Sequence, residues 1–442
     1  MVALHSFRLK VLDKLKSIDY NWTSQEIDET FCFFVPNYRI MSTTVDNLKS
    51  TRDAATVAGR EGALIYRRIQ AAMRARIADG DWAAGQGIPN RTQLCKEFGT
   101  TRVTLDKAIQ GLVAEGVLRS AGRVGTFVSL PEEIEARTLR VGVILASNTP
   151  ESCDVSWCND NFYFGPLFQG IRDAVSGKPV DTVFTHLYHT EYIRFCRDSR
   201  LDGAILIAPR NWQLPAFHRL HQEGIFFVAV GISSTDPVDA EIPFQDTDNR
   251  QGARDVALHL LSLGHREITL VSEVTTLSNY NDRLQGFRHA LAEAGQAINP
   301  RNLLLIPEQD ADRYEECMDD WLTRSLAAGT VPTAVFVCDY PMSLTMSRVL
   351  RRHNLRVPED ISLVGFDDPL SAEHLTPSLT TVRQPVYQMG RRATERLLAG
   401  IRGGQPPRGG ELLRTELIVR ESAGRAPAAQ PELSSSPCVA SS

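Results

Sequence analysis

From Arg140 to Ser422, the 442-residue chain alternates short apolar runs with segments of helix length. The apolar runs are RVGVIL, GAILIA, IFFVAVG, EITLVS, AVFVC and ISLVGF. Strands of this kind, separated by helices, form parallel sheets that are covered on both faces. We therefore predict an α/β region of doubly wound parallel sheets. A ligand of such a region binds just beyond the carboxyl ends of the strands.

A stretch with a different pattern precedes this region, NRTQLCKEFGTTRVTLDKAIQGLVAEGVLRSAGRVGTFV. Asn90 is suited to cap a helix over 91–98, and Gly99 ends that helix. Thr100 or Thr101 then caps a second helix, which Gly116 stops. The residues predicted for its inner face are Val103, Leu105, Ile109, Leu112 and Val113. The segments VLRS and GTFVSL, joined by AGRVG, are typical of a β-wing.

Two short helices joined by a tight turn form a helix-turn-helix, whose second helix enters the major groove with its first residues against the bases. The exposed residues there are predicted to be Thr101, Arg102 and Thr104, with Lys107 near the DNA backbone and Arg123 at the wing tip. Residues 61–130 carry ten Lys or Arg against six Asp or Glu, although the whole chain has a net charge of −5. A basic block on an acidic body suits a protein that contacts a polyanion through one module. Helix spacing alone would equally fit a small bundle used for protein contacts.

Residues 65–128 resemble the winged-helix domain of the GntR family of bacterial transcription factors. The matching places read IPNR, TTR and GRVGTFV. Double-stranded operator DNA is the partner that this resemblance implies. The predicted DNA contacts are Arg91, Thr101, Arg102, Thr104, Lys107, Arg123 and Gly125. Asp106 stands where the family often has a basic residue and Arg91 where an acidic one is common, so the half-site sequence is not inherited.

The longer region resembles the periplasmic-binding-protein-like effector domain of the LacI family. The resemblance rests on DNRQGARDVALHLLSLGHREI, DRLQGF, VPEDISLVGFDD and PSLTTVRQPVYQMGRRATERLL. Its combination with a GntR-type reader is similar to the arabinose-repressor subgroup of bacterial sugar regulators. The resemblance implies two lobes that close over a small polar effector, usually a sugar. A homodimer is expected, because two readers on a two-fold axis match a pseudo-palindromic operator.

Six effector contacts follow from this resemblance: Asn161, Phe164, Asp248, Arg283, Asp339 and Asp367. The planar guanidinium of Arg283 is suited to meet two ligand oxygens at once. Other roles remain open, with Arg283 on a helix surface, Asp367 as a turn cap and Phe164 in the core. The insertion SNTPESCDVSWCND lengthens the first cleft loop and suggests an unusual or larger ligand. The segment PEEIEARTL does not resemble a LacI-type hinge helix, so the wing is expected to take its place.

The sequence does not favour an enzyme. It has no phosphate-binding P-loop, no Gly-x-Ser-x-Gly elbow and no His-Glu-x-x-His. We therefore predict no catalytic residue, no cofactor and no metal, and the scattered cysteines are expected to be reduced thiols. Neither a signal-peptide pattern nor a run of membrane-spanning length is present, so a bacterial cytoplasmic protein, nucleoid-associated when bound to operator, is expected. The alternative function is a cytoplasmic sugar-binding protein whose N-terminal bundle docks to a partner protein.

The domain boundaries expected from these patterns begin with an extension over 1–60, which is either disordered or includes forty non-native residues ahead of a native start at Met41. A winged helix-turn-helix follows over 61–130, a linker over 131–139, the effector domain over 140–422 and a disordered tail over 423–442. The expected mechanism is ligand-controlled operator binding. A repressor released by its ligand is the family default, but a corepressed protein would use the same parts.

Overall fold

The structure is a computed structural model that describes residues 55–114, 116–122, 124–130, 133, 137–146 and 162–427. The predicted contacts Arg123 and Asn161 lie outside the described residues, as do most of the predicted extension and tail. Among the helices within the described ranges, none has both the length and the apolar character that a membrane span requires.

The N-terminal part is a three-helix unit followed by a two-stranded wing. Its elements are α1 (Ala55–Ala78), α2 (Arg91–Glu97), α3 (Arg102–Ala114), β1 (Leu118–Ser120) and β2 (Thr126–Val128). The first helix begins at Ala55, so it extends into the range predicted as an extension. Met73, Leu94, Leu105 and Leu112 are fully buried at the centre of this unit. Their side chains hold α1 and α2 against α3.

The larger part consists of two lobes, each built on a six-stranded sheet with helices on both faces. Its strands are β3 (Leu139–Ala146), β4 (Val180–Leu187), β5 (Gly203–Ile207), β6 (Phe227–Val230), β7 (Phe244–Thr247), β8 (Ile268–Val274), β9 (Leu303–Pro307), β10 (Ala334–Val337), β11 (Ser362–Phe366), β12 (Thr380–Arg383), β13 (Gly410–Leu413) and β14 (Glu416–Ile418). Its helices are α4 (Phe164–Val175), α5 (Tyr192–Asp198), α6 (Leu214–Gln222), α7 (Asn249–Ser262), α8 (Ser278–Glu293), α9 (Tyr314–Ala327), α10 (Tyr340–Arg352) and α11 (Val386–Gly403).

The strand order is β13-β7-β6-β5-β3-β4 in the N-terminal lobe and β14-β12-β11-β10-β8-β9 in the C-terminal lobe. In the larger part, which we call the body, every described strand pairing is parallel except that of β12 with β14. The prediction of doubly wound parallel sheets is therefore confirmed. Each sheet has apolar clusters on both of its faces, which is why its central strands carry continuous apolar sequence.

The chain passes between the lobes three times, after β7, after β12 and after β13. After the second passage, α11 returns to the N-terminal lobe and packs against α4. Gly170 and Gly390 make this close contact possible. A Cβ added at Gly170 would lie 2.0 Å from the Tyr387 carbonyl oxygen, and one added at Gly390 would lie 2.2 Å from that of Leu167. Glycine is required at both positions because the opposing atoms belong to the backbone.

The end of the described chain differs from the predicted disordered tail. The ring of His265 is within 3.0 Å of the Gly424 carbonyl oxygen, and the Ala426 amide donates to the Leu263 carbonyl oxygen at 2.9 Å. Residues 423–427 therefore belong to the C-terminal lobe. Low apolar content suggested disorder, but backbone hydrogen bonds hold this segment without bulky side chains.

Candidate DNA-binding surface and ligand cleft

The first turn of α3 presents an available arginine. The side chain of Arg102 is 78% exposed, and its Nε lies 3.7 Å from Asp106 Oδ2, too far for a hydrogen bond. Thr101 precedes the helix, and its hydroxyl accepts from the Thr104 amide at 3.4 Å and lies 3.0 Å from the Thr104 hydroxyl. The two threonines therefore fix the turn that carries Arg102 towards solvent.

Val103 lies on this exposed turn, and the prediction that it belongs to the inner face is wrong. Its side chain is 80% exposed, whereas Leu105 is fully buried. On a helix, Val103 shares a face with Asp106, Lys107 and Gln110 and not with Leu105. The helical spacing in the sequence already indicates this exposed face, but Val103 was assigned to the inner face because valine is apolar. An exposed apolar side chain beside Arg102 suits contact with the methyl group of thymine.

Arg91 is held mainly by protein groups. Its Nε is 3.3 Å from Asp106 Oδ1, and its Nη1 donates to the Thr126 hydroxyl at 3.0 Å. The side chain thereby links α2 with α3 and the wing. Arg91 and Arg102 nevertheless line one groove of about 420 Å³ between α2 and α3, together with Thr92, Cys95, Lys96 and Thr100. The groove has three cationic side chains, which suits it to a phosphate backbone.

Two further predicted contacts, Lys107 and Gly125, lie on α3 and on the wing. Lys107 is exposed, and its ammonium group lies 4.7 Å from the centre of the Tyr66 ring. A cation over an aromatic face is restrained without being neutralised. Gly125 has φ +141°, a backbone conformation that favours glycine, at the entry to β2 of the wing.

In the body, predicted effector residues from separate strand ends lie together where the two lobes meet. We define the cleft cluster as Tyr163, Asp246, Arg283, Asp339 and Asp367. Asp339 follows β10 and Asp367 follows β11, at the carboxyl ends where parallel sheets bind ligands. Burial and the carboxylates of Asp246 and Asp367 raise the pKa of the Tyr163 phenol, which places these groups near one another.

Arg283 is buried on α8 and is not a surface arginine. Its Nε donates to Asn249 Oδ1 at 2.9 Å, and its Nη1 donates to the Cys338 carbonyl oxygen. The guanidinium carbon lies 3.8 Å from the centre of the Phe366 ring. These contacts fix the guanidinium through Nε and Nη1. Nη2 has no hydrogen-bond partner among the described residues, so its two N–H groups remain for a ligand.

The two predicted acceptors are fixed by different means. Asp339 caps α10 by accepting from the Met342 amide at 2.7 Å, and it accepts from the Tyr280 hydroxyl at 2.6 Å. Burial raises the pKa of its carboxyl. Asp367 has φ +76° and accepts from the side-chain amide of Gln384. This strained conformation for a non-glycine residue occurs at the strand end that faces the other lobe.

Phe164 and Asp248 have structural contacts. Phe164 is 6% exposed and packs in the core of the N-terminal lobe, so its alternative role, in the core, describes it better than ligand stacking. Tyr163 is the neighbouring aromatic that belongs to the cleft cluster. Asp248 caps α7 by accepting from the Gln251 amide at 2.9 Å, and its own amide donates to the Leu413 carbonyl oxygen. It therefore stabilises a lobe crossing.

Asp246 was missed from the sequence. It is 2% exposed on the short polar strand β7, which its composition did not identify as a strand. Its Oδ1 accepts from the Thr247 amide at 2.8 Å, while Oδ2 has no hydrogen-bond partner among the described residues. Burial is the main cause that raises the pKa of the Asp246 carboxyl to about 7. The hydrogen bond from the Thr247 amide lowers this pKa, and the nearby Asp282 carboxylate raises it further.

Direct contacts join the lobes around this cluster. Arg210, after β5, donates to Thr275 Oγ1 at 2.8 Å and pairs with Glu308 at 2.5 Å. On the other side, the Ser233 hydroxyl donates to Asp282 at 2.5 Å. The lobes are therefore in contact through polar groups that an opening motion would separate.

Two family models match the chain, one for each part. A model described as bacterial regulatory proteins of the gntR family matches residues 65–128, and one described as a periplasmic binding protein-like domain matches residues 257–423.

Relatives align over most of the chain. The HTH-type transcriptional regulator CelR of Thermobifida fusca is 28% identical over 337 residues, which cover 73% of this chain and 95% of the relative. An arabinose metabolism transcriptional repressor of Halalkalibacterium halodurans is 25% identical over 378 residues, which cover 82% of this chain and 97% of the relative. The solved structure of a CelR–cellobiose complex has a TM-score of 0.57 at 25% identity, over 76% of this chain and 100% of that one.

These relatives are transcriptional regulators and not enzymes, which confirms the prediction based on the missing catalytic motifs. The alignment with the arabinose metabolism repressor, at 82% of this chain, is also too long to lie within the body alone. The chain therefore combines a gntR-type helix-turn-helix domain with a periplasmic-binding-protein-like domain, and its homologues are LacI-family regulators that include arabinose metabolism repressors.

Proposed function

We propose that the chain is a homodimeric regulator that binds operator DNA through α3 and the wing, and a small sugar-like effector through the cleft cluster. The observation that carries this proposal is the meeting of buried Arg283 and Asp367 with half-buried Asp339 at a junction of two lobes. Buried polar groups gathered from separate strand ends favour a polar ligand over a structural core.

On the DNA side, Arg102, Val103 and Thr104 are proposed to contact bases, and Lys96 and Lys107 to contact phosphates. Base contacts carry the sequence preference, whereas phosphate contacts supply affinity and orientation. Arg91 is assigned chiefly to positioning, because Asp106 and Thr126 hold its guanidinium.

Ligand binding is proposed to alter the contacts between the lobes and, through them, the spacing of the two DNA-binding units. The Arg210–Glu308 and Ser233–Asp282 contacts join the two lobes, and opening the cleft would break them. Coupling between two such sites is typically about 1–3 kcal/mol, which corresponds to roughly 5- to 150-fold in affinity.

An apolar surface on the N-terminal lobe supports a dimer. Phe184 is 55% exposed on β4, at the edge of its sheet, and its ring lies 5.6 Å from that of Phe168. Both residues line a depression of about 670 Å³ with Ile171 and Val175. A second copy of the chain is the proposed occupant, since exposed apolar patches mark association sites and a two-fold operator requires two readers.

Gel-shift and footprinting assays with DNA that flanks the chain's own coding region test this function. We expect a protected site with two half-sites about one helical turn apart, and a change in affinity with at least one sugar. A protein that binds no duplex and instead captures a partner protein through its N-terminal unit would support the alternative function.

Operator binding should weaken steeply with salt. A dimer that neutralises about eight phosphates would give a slope of log affinity against log salt of roughly −7, because each contact releases condensed counterions. Gel shifts between 50 and 200 mM salt should then lose about three to five powers of ten in affinity.

Lys96→Ala should make that slope shallower by about two, one for each subunit. Lys178→Ala is the matched control, because this lysine lies in a turn of the N-terminal lobe and donates to the Ala174 carbonyl oxygen. A flat salt dependence, or an equal effect of both variants, would argue against the phosphate contacts.

Val103 should recognise one thymine methyl in each half-site. Once the operator is mapped, replacing thymidines one at a time with deoxyuridine removes the methyl alone. We expect one position at which this weakens wild-type binding by about fourfold per half-site, since a buried methyl contributes about 0.8 kcal/mol. Val103→Ala should be weaker on the thymidine operator and insensitive to deoxyuridine there. If deoxyuridine weakens wild type and Val103→Ala equally at every position, Val103 does not recognise a thymine methyl.

A further inference from the structure

We infer that the ligand of the cleft carries a positively charged amino group and that the Asp246 carboxylate is its counter-ion. The inference deepens the proposed function, because it rests on the cleft being a small-molecule site. It specifies an amine-bearing ligand, such as an amino sugar, instead of a neutral sugar or a sugar phosphate.

The first observation is the state of the Asp246 side chain. It is almost completely buried at the carboxyl end of β7, and Oδ2 lacks a hydrogen-bond partner among the described residues. A buried carboxylate without partners costs free energy unless a donor or cation satisfies it. The neighbouring Asp282, by contrast, accepts from Arg250 at 2.8 Å and from Ser233.

The second observation is the sign of the surrounding charge. Asp339 and Glu273 also lie in this region, and each has a pKa raised chiefly by burial and further by nearby acids. Within the cleft cluster, Arg283 is one cation against the three carboxyl groups of Asp246, Asp339 and Asp367. Arg210, the cation on the other lobe, pairs with Glu308. An anionic ligand would meet this negative field, whereas an ammonium group would relieve it.

A metal ion does not explain the acidic cluster. No group of three His, Cys, Asp or Glu side chains within the described ranges is arranged to hold a metal. An ammonium group needs acceptors in fewer fixed directions, and its three N–H donors suit Asp246 Oδ2 together with a second acceptor such as Asp339 or Asp367. Arg283 Nη2 then remains for the hydroxyl oxygens of the same molecule.

Asp246→Asn tests the first observation without requiring the ligand. The groups that face Asp246 are Asp282 and Arg283 on α8, Asp248 at the start of α7, and the Tyr163 phenol. Because its pKa rises from 3.8 to about 7 on folding, stability is lost as pH rises from about 4 to about 7, and the loss is complete above pH 7. At pH 8 the variant should melt roughly 3–6 °C above wild type, and at pH 5 the gap should narrow.

Asp282→Asn is the matched control, since it removes a neighbouring, largely buried carboxylate that has an Arg250 partner. This control should melt below wild type at pH 8. If Asp246→Asn also melts below wild type at pH 8, Asp246 has a structural role and the inference is overturned.

Calorimetry with paired probes tests the amine itself. The pairs are glucosamine with glucose, galactosamine with galactose, mannosamine with mannose, and the glucosamine disaccharide with cellobiose, and each N-acetylated amine serves as a neutral control. We expect at least one amine to bind more than tenfold tighter than its neutral and acetylated counterparts, and Asp246→Asn to abolish that difference.

If no amine binds, or if a neutral sugar binds as tightly as its amine, the inference fails. The proposed function is judged separately by the same panel in gel shifts. A neutral sugar that changes operator affinity would support the proposed regulator function and contradict the inference of an amine-bearing ligand.

Discussion

Arg102→Ala is expected to abolish sequence-specific operator binding while leaving the fold intact. The side chain is largely exposed at the start of α3, so its removal creates no cavity and breaks only a long contact with Asp106. A bidentate arginine contact to a base contributes about 1–3 kcal/mol, and a dimer makes it twice. Footprinting should therefore show loss of the protected site, with weak non-specific binding retained.

Arg194→Ala provides the comparison for this loss. Arg194 is 76% exposed and has an acidic neighbour, Glu191, at 3.6 Å, but it lies on α5 of the N-terminal lobe. The same change in charge there should leave the footprint unchanged. A normal footprint with Arg102→Ala would refute the assignment of α3 as the recognition helix.

Arg283 substitutions are expected to produce a protein that still binds operator but no longer responds to ligand. Loss of two hydrogen bonds from a charged donor corresponds to at least about 3 kcal/mol, or more than roughly 100-fold in ligand affinity. Calorimetry should detect no binding by Arg283→Ala of a ligand that the wild type binds, and gel shifts should show operator affinity that ligand no longer changes.

The structure adds a consequence for the choice of variant. Truncation to alanine leaves Asn249 Oδ1 and the Cys338 carbonyl oxygen without their donor, at a cost of about 1–3 kcal/mol each. We therefore expect Arg283→Ala to melt well below wild type. Arg283→Lys retains the charge and a donor but lacks the planar fork, so it should be more stable yet still bind ligand weakly. If Arg283→Lys binds the ligand as tightly as wild type does, the planar guanidinium is not needed for ligand recognition.

The sequence predicted the central strands well because their burial on both faces leaves continuous apolar runs. The predicted run RVGVIL lies within β3, and the run ISLVGF contains β11. Strands at or near the sheet edges were harder to identify. The edge strand β4 is half exposed and contains Asp181, Thr182 and His186, and β7 contains Gln245 and Asp246, so neither has the composition of a buried strand.

The candidate site was predictable where a residue follows an obvious strand and not elsewhere. Asp339 and Asp367 follow β10 and β11, and the structure brings both to the cleft with Arg283. Asp246 lies within a strand too polar to be recognised, so its place in the cleft depends on tertiary packing. Phe164 and its neighbour Tyr163 show the same limit, because local sequence does not determine which of two adjacent aromatics turns towards the core.

The three passages of the chain between the lobes bear on how such a protein could have arisen by recombination. The N-terminal lobe is assembled from residues 139–146, 164–247 and 386–413, so a single crossover between β3 and β13 would divide this lobe. The DNA-binding unit, by contrast, is one uninterrupted stretch that precedes β3. One crossover at that junction replaces a whole reader and leaves the sensor unbroken, which offers a simple genetic route to a gntR-type reader on a periplasmic-binding-protein-like sensor.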